Sequence, residues 1–282
     1  MSLFEFFPHK EYPNFYEECR LTGVLRYLPA KHREYGDSYF MEEYKSQYKK
    51  SYYEDEPNLR VMAKRRLSIL KKMAEGQREV GNSTFTSKSN SSSKKSLLEI
   101  GSAAGFFLDE ARIAGYQTKG LELSPKEVEY AKSTLGLDVE KTSVLSVGEG
   151  EWKDEFDLVS AFFVIEHIDD IEGIWKRLAT WIRPGGYLYL AVPSSFGPSF
   201  QTNPKEWFST HPSDHFFDYS VHSLKKLLSI LGFGLNYVRP MSYHSYRDLG
   251  PRGKLPEWLY RLYANQFAYG DTIELIARKL KH

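Results

Sequence analysis

Cysteine is nearly absent: Cys19 is the only one in 282 residues. An intrachain disulfide is therefore impossible, and no thiolate zinc site can form. That scarcity fits a reducing, cytoplasmic setting. Net charge is nearly absent too. Lys and Arg number 38 against 37 Asp and Glu, a formal charge of +1. No overall field draws the chain to nucleic acid or to an anionic membrane. No apolar run approaches the ~18 residues that a membrane span needs. The opening MSLFEFFPHKEYPNF lacks a basic n-region and a sustained apolar run, which argues against a signal peptide. What remains is an ordinary globular composition, 41% hydrophobic and 27% charged. The length suits one large α/β domain with an accessory element.

Three segments follow from local composition. Residues 1–80 are rich in tyrosine and charge, with helical patterning toward the end, and read as an N-terminal helical lid or accessory segment. Tyr44, Tyr48 and Tyr52 recur at helical spacing, as a lid helix laying its apolar stripe on the domain would require. Lys64, Arg65, Arg66, Lys71 and Lys72 read as a solvated basic face. Residues 81–96, GNSTFTSKSNSSSKKS, have little to bury and read as a flexible linker. From Leu97 to residue 282, short apolar runs alternate with amphipathic stretches. Parallel strands joined by crossover helices are the expected result. Predicted strands cover 96–100, 118–123, 137–141, 156–163, the run YLYLAV after Gly185-Gly186, 234–239 and 272–278. Predicted helices cover 104–114, 125–135, 171–181 and 220–231. An aromatic insertion, 241–270, separates the last two strands and holds Tyr243, Tyr246, Tyr260, Tyr263 and Tyr269.

The stretch Leu97-Leu-Glu-Ile-Gly-Ser-Ala-Ala-Gly-Phe-Phe-Leu108 carries the most information. A buried strand runs into a loop of small residues, and a helix follows. Gly101 and Gly105 permit a tight turn without a Cβ in the way, and the helix N-terminus offers free amides to a polar group. Alone, such a loop is also what a structural turn looks like. Glu122, at the end of the second strand, adds to it: an acid there accepts hydrogen bonds from ribose hydroxyls in nucleotide-binding sheets. The dinucleotide fingerprint G-x-G-x-x-G fails, because Ala103 and Phe106 occupy its second and third glycine positions.

In these motifs the chain resembles the class I S-adenosylmethionine (SAM)-dependent methyltransferases. The similarity is greatest to the branch of ubiquinone-biosynthesis O-methyltransferases and sugar or natural-product methyltransferases. The family's acid-x-Gly-x-Gly-x-Gly reads here Glu99-Ile-Gly101-Ser-Ala103-Ala-Gly105, with alanine for the middle glycine. The fourth-strand motif matches Phe156-Asp157-Leu-Val159 followed by Val164-Ile165-Glu166-His167, and the turn before strand five matches Ile182-Arg183-Pro184-Gly185-Gly186. Trp207, His215, Tyr219-Ser220 and Gly232-Phe233 continue the pattern to about Lys279. The resemblance implies a Rossmann-like α/β sheet, mostly parallel with an antiparallel last strand. It implies SAM as cofactor, with S-adenosylhomocysteine (SAH) as product. The cofactor site it implies comprises Glu99, Gly101, Ser102, Ala103, Gly105, Phe106, Glu122, Leu123, Leu145, Phe162 and Phe163, with Leu123 packing on adenine. His167, His211 and His215 are candidate bases for a hydroxyl acceptor, since histidine titrates near neutral pH. His211-x-x-x-His215 also has a metal-ligand spacing, but no clear third ligand accompanies it, so no metal is expected.

The expected activity is methyl transfer to a small molecule, on an oxygen of a sugar or glycan precursor or of a phenolic or quinone ring. A homodimer is a further expectation, and nucleic acid is not an expected partner. Two rivals stand beside this reading: a non-catalytic SAM-binding protein, and an NAD-dependent oxidoreductase or epimerase.

Overall fold

The structure, a computed structural model, describes residues 2–33, 44–45, 49–80 and 94–281. Most of the expected linker, residues 81–93, lies outside these, as does Tyr48. Two compact units divide the chain: residues 35–143, and residues 1–34 with 144–282. Strands β1 (Phe6–Pro8), β2 (Tyr16–Cys19) and β3 (Leu25–Tyr27) open the chain and belong to the second of these.

In the unit of residues 35–143, helix α1 spans Glu56–Val80. Its buried stripe is Ala63, Arg66 and Leu70, three and four residues apart, as one face of a 3.6-residue repeat requires. Arg66 therefore departs from the solvated face read in the sequence. Lys64, Arg65, Lys71 and Lys72 are exposed, while Arg66 is only 7% accessible. Strand β4 (Ser96–Ile100) then leads into helix α2 (Phe106–Ile113), strand β5 (Gln117–Glu122), helix α3 (Pro125–Ser133) and strand β6 (Val139–Lys141). β5 pairs in parallel with both β4 and β6. Crossover helices make that arrangement possible, and they bury the apolar runs Leu97-Leu98 and Phe106-Phe107-Leu108. Ser124 caps α3 by accepting from the Glu127 amide, with Pro125 in the first turn.

Gly105 precedes α2 at φ 85°, in the left-handed region. A Cβ there would lie 2.5 Å from Leu137 Cδ1. Gly105→Ala therefore carries both backbone strain and a clash. The expected cost is about 2 kcal/mol or more, read as a lower urea midpoint; a midpoint equal to the wild type's would refute this account of the loop.

In the other unit, strand β7 (Phe156–Phe162) is followed by helix α4 (Ile171–Trp181) and strand β8 (Ile182–Pro193). Ile171, Ile174, Trp175, Leu178 and Trp181 are the buried face of α4, and Asp170 caps it by accepting from the Gly173 amide at 2.8 Å. Two short helices, α5 (Pro198–Thr202) and α6 (Pro204–Thr210), precede β9 (Phe217–Asp218). Helix α7 (Val221–Ile230), capped by a Ser220–Ser223 box, leads to β10 (Phe233–Pro240), α8 (Glu257–Phe267) and β11 (Thr272–Lys279). β7 and β8 are parallel, while β11 lies antiparallel between β8 and β10. These strands and β4–β6 make up the seven-stranded, mostly parallel Rossmann-like sheet.

A separate four-stranded antiparallel sheet, β1-β2-β3-β9, covers a small aromatic core of Tyr16, Leu25 and Tyr27 with Tyr12, Phe200 and Phe208. The sequence reading contained neither this sheet nor α8. Tyr260 and Tyr269 of the insertion are 1% exposed and form a core with Ala264, flanked by Phe196, Tyr243 and Tyr263; Tyr246 is exposed. No helix among the described residues is long and apolar enough to cross a membrane.

Candidate functional site

In the unit of residues 35–143 the loop after β4 is tied down from beneath. The amides of Gly101 and Ser102 both donate to the Leu121 carbonyl, at 2.8 and 3.1 Å, and the Gly105 amide donates to Ser102 O at 2.9 Å. Ala103 takes φ 47°, an uncommon conformation for a residue with a Cβ. Its amide points at Glu122 Oε2, 2.8 Å away. The other carboxylate oxygen accepts from the Leu123 and Ser124 amides at 2.8 and 2.9 Å. A carboxylate has about four acceptor positions, so Glu122 is fixed in orientation and keeps acceptor capacity for a ligand. Burial raises its pKa, against the three amides, which lower it.

Glu99 is 4% exposed, and its Oε2 has no hydrogen-bond partner among the described residues; the same holds for the buried Ser102 Oγ. Burial pushes the Glu99 pKa well up, with Arg66 pulling it down and Glu122 adding to the rise. Buried polar groups in native proteins have partners as a rule, so these two atoms stand out among the described residues. Phe106 is buried, stacks on Tyr52 (5.5 Å, 15°) and lies 5.4 Å from the Arg60 guanidinium. Tyr44 meets Tyr52 edge-on at 5.1 Å. Leu123 is 44% exposed.

Leu145, Phe162 and Phe163 lie in the other unit. Leu145 sits in a single 3-10 turn, and its carbonyl accepts from Arg177 Nη2 at 2.8 Å. Phe162 packs edge-on against Tyr189. Phe163 leaves β7 at φ 59° and is 40% exposed, so a bulky side chain is held in a costly backbone conformation at the strand's C-terminal end. Ligands of such sheets bind at that end.

The three candidate histidines come together in this unit. His167 ends the 3-10 turn Ile165–His167. Its Nδ1 faces two acceptors, the Asp214 carbonyl at 3.1 Å and the Asp214 carboxylate at 3.4 Å, so Nδ1 carries the proton. Burial lowers the His167 pKa, but the Asp214 hydrogen bond and the charges of Glu166 and Asp214 outweigh it and the net shift is upward. Asp214 is held down at about 2: burial would raise it, and His167 and His215 prevail. The ring of His215 lies 4.6 Å from that of His167, and burial with the His167 charge lowers its pKa to about 3. His211 is engaged elsewhere. Its Nε2 is 2.8 Å from Asp218 Oδ2, and its ring lies on Tyr27 at 3.9 Å. The Tyr16 hydroxyl donates to the same Asp218 oxygen at 2.6 Å and accepts from Trp207 Nε1 at 2.8 Å. Burial raises the Tyr16 pKa, with the Asp218 charge adding to the rise.

Glu166 is 1% exposed, and neither carboxylate oxygen has a hydrogen-bond partner among the described residues. Burial lifts its pKa to about 7. Two groups of side chains have ligand atoms all within 4.8 Å of one another: Glu166, His167 and His215, and His211, His215 and Asp218. The His-x-x-x-His spacing therefore does have third partners, which the sequence reading did not find. Tyr16, Tyr27 and Asp218 were likewise missed, and so was Arg66.

A glycine loop between a parallel strand and a helix, answered by a carboxylate at the end of the next strand, defines an adenosyl-binding α/β protein. The dinucleotide fingerprint is broken by buried side chains, Ala103 at 7% and Phe106 at 2% exposure. A family model described as "Methyltransferase domain" matches residues 71–238, more than half of the chain. The chain belongs to the class I SAM-dependent methyltransferases.

Similar curated proteins include the ubiquinone biosynthesis O-methyltransferase of Chromobacterium violaceum, 24% identical over 113 residues, 38% of this chain and 48% of that one. The enzyme of the same name from Rhizobium johnstonii is 29% identical over 99 residues, 34% of this chain and 40% of that one. The chain thus spans less than half the length of these relatives. A SAM-dependent methyltransferase from Archaeoglobus fulgidus superposes with a TM-score of 0.49 at 18% identity, covering 66% of this chain and 86% of that one. One from Mesorhizobium loti gives 0.47 at 16%, covering 66% and 91%.

Proposed function

We propose that this methyltransferase acts on a hydroxyl oxygen of a small molecule, a sugar or glycan precursor or else a phenolic or quinone ring. The observation that carries the cofactor half is the pair of buried, unpartnered atoms, Glu99 Oε2 and Ser102 Oγ, beside an amide-fixed Glu122. Buried Glu99 offers an acceptor and buried Arg66 a cation, as the ammonium and carboxylate of an amino-acid ligand require. Glu122 takes ribose hydroxyls, and Leu123 with Phe106 flanks the adenine. SAM supplies an activated methyl group, displaced in line from a sulfonium, so the protein's task is to position it and to exclude water.

Acceptor activation is assigned to the cluster of His167, His211 and His215. Asp214 orients His167 by accepting from its Nδ1. His211, bound to Asp218, positions the cluster instead. The oxygen preference is supported by this histidine–carboxylate chemistry, since a hydroxyl must lose its proton to become a good nucleophile. The curated relatives act on oxygen by name. Residues 1–80 are proposed as a lid or accessory segment, and the aromatic insertion 241–270 as an element that shapes the acceptor pocket. We further propose a cytoplasmic protein with no nucleic-acid substrate, and a homodimer.

The test is calorimetric titration with SAM, SAH and NAD, followed by SAH release with sugar, phenol and nucleic-acid acceptors. SAM and SAH are expected to bind and NAD is not. Binding of NAD without either adenosyl ligand would refute the cofactor assignment, and turnover with nucleic acid alone would refute the acceptor class.

A further inference from the structure

The geometry points to a binding site for one divalent transition-metal ion, formed by the Glu166 carboxylate, His167 Nε2 and a ring nitrogen of His215. The assignment goes beyond methyl transfer and holds whether or not that reading does. Ligand atoms of the three residues already lie within 4.8 Å of one another. Bonds of about 2.0–2.2 Å to nitrogen and oxygen put neighbouring ligands roughly 3.3 Å apart, so rotamer adjustment of about an ångström completes the site.

Two further observations favour this set. Glu166 is fully buried with both oxygens unpartnered, which is costly unless a cation or donor meets them. The Asp214 carboxylate and carbonyl hold the Nδ1 proton of His167. That is the carboxylate–histidine pairing that fixes a ligand's tautomer and turns Nε2 to a metal. The neighbouring group of His211, His215 and Asp218 is the weaker site, because His211 Nε2 is already engaged by Asp218 Oδ2, which also accepts from the Tyr16 hydroxyl, and only Asp218 Oδ1 is left without a partner among the described residues.

Two imidazoles and one carboxylate suit zinc, iron(II), manganese or cobalt better than magnesium or calcium, which prefer all-oxygen shells. Three protein ligands leave positions open for oxygen atoms of a small molecule. A hydroxyl ligated there has a lowered pKa; this last role rests on the methyl-transfer reading.

The experiment uses tag-free, chelator-treated protein. Zn2+ and Co2+ are titrated by calorimetry, Co2+ binding is followed by its visible absorption, and SAH affinity is measured on the same samples. One equivalent is expected to bind. Glu166→Gln and His215→Ala should each raise the Kd at least tenfold. Asp214→Asn should raise it about 10–100-fold, and His222→Ala should leave it unchanged. Retained SAH affinity certifies each variant as folded. The proposal is overturned if the wild type takes up neither ion, if both ligand variants bind like the wild type, or if His211→Ala abolishes binding while Glu166→Gln does not. Ion uptake without SAH binding would leave this site standing and remove the methyltransferase reading; SAH binding without ion uptake would do the reverse.

Discussion

Glu122→Ala is expected to weaken SAH binding at least tenfold. A hydrogen bond to a charged group contributes about 1.5–3 kcal/mol, and about 1.4 kcal/mol is a factor of ten in Kd. The structure adds a second reason. The Glu122 carboxylate gathers the amides of Ala103, Leu123 and Ser124, so its removal also frees the loop that faces the ligand. Glu122→Gln separates the two effects: it keeps one acceptor and nearly the same shape but loses the charge, and it should fall between wild type and alanine. Unchanged SAH affinity in a folded Glu122→Ala protein would refute this placement of the ribose. The sign of the pH dependence follows from burial. The raised pKa of Glu122 means the ionised form is lost earlier as pH falls. Affinity should therefore decline on acidification from above the ordinary glutamate value of about 4.3; a flat profile down to that value would contradict it.

Arg60→Ala is expected to cost about 3 kcal/mol of stability. Arg60 reaches Asp109 Oδ2 at 2.8 Å and Glu110 Oε1 at 3.0 Å, and these acids are 8% and 6% exposed at the side chain. Removing one partner of a buried pair costs about 3–5 kcal/mol. The lower end applies because the Arg60 side chain keeps 20% exposure and water screens part of the interaction. Burial raises the pKa of Asp109, but hydrogen bonds from Arg112 and Arg60 bring the net shift below its ordinary value. A depressed carboxylate stabilises the fold above its unfolded pKa, and that stabilisation is lost as pH falls through the folded pKa. The gap between wild type and variant should thus be largest near pH 7 and shrink in acid. Urea midpoints across that range decide it, and a gap below about 1 kcal/mol, or one insensitive to pH, would be the contrary result.

The strands around the glycine loop were legible because their signal is local. Ile171–Trp181 has its apolar residues at helical spacing and its capping Asp170 in sequence, and the element matches the expected range. The Ser124-Pro125 start of α3 is a similar case. Elements fixed by distant partners were not legible. β1 and β3 have three residues each, too few to show an alternating pattern, and β3 pairs with a two-residue strand, β9, at Phe217–Asp218. Tyr16 and Asp218, which share a hydrogen bond, stand 202 positions apart. Arg66 is different: it continues the stripe of Ala63 and Leu70, so helical periodicity held the signal, and the surrounding charges hid it. The histidines could be listed from the sequence as rim residues, but their inequality could not. It comes from which of them meets Asp214 and which meets Asp218.

The antiparallel seat of β11 bears on how the chain is made. β8 and β10 both pair with β11, which is synthesised after them. While residues 194–271 leave the ribosome, the edge of β8 that will receive β11 has no strand to pair with. At about 5–20 residues per second, that interval is on the order of 4–16 s. The strand so exposed carries Leu188, Tyr189, Leu190, Ala191 and Val192, none of them accessible in the finished fold. An apolar open edge of that kind is a site for mispairing between nascent chains until β11 arrives to cover it.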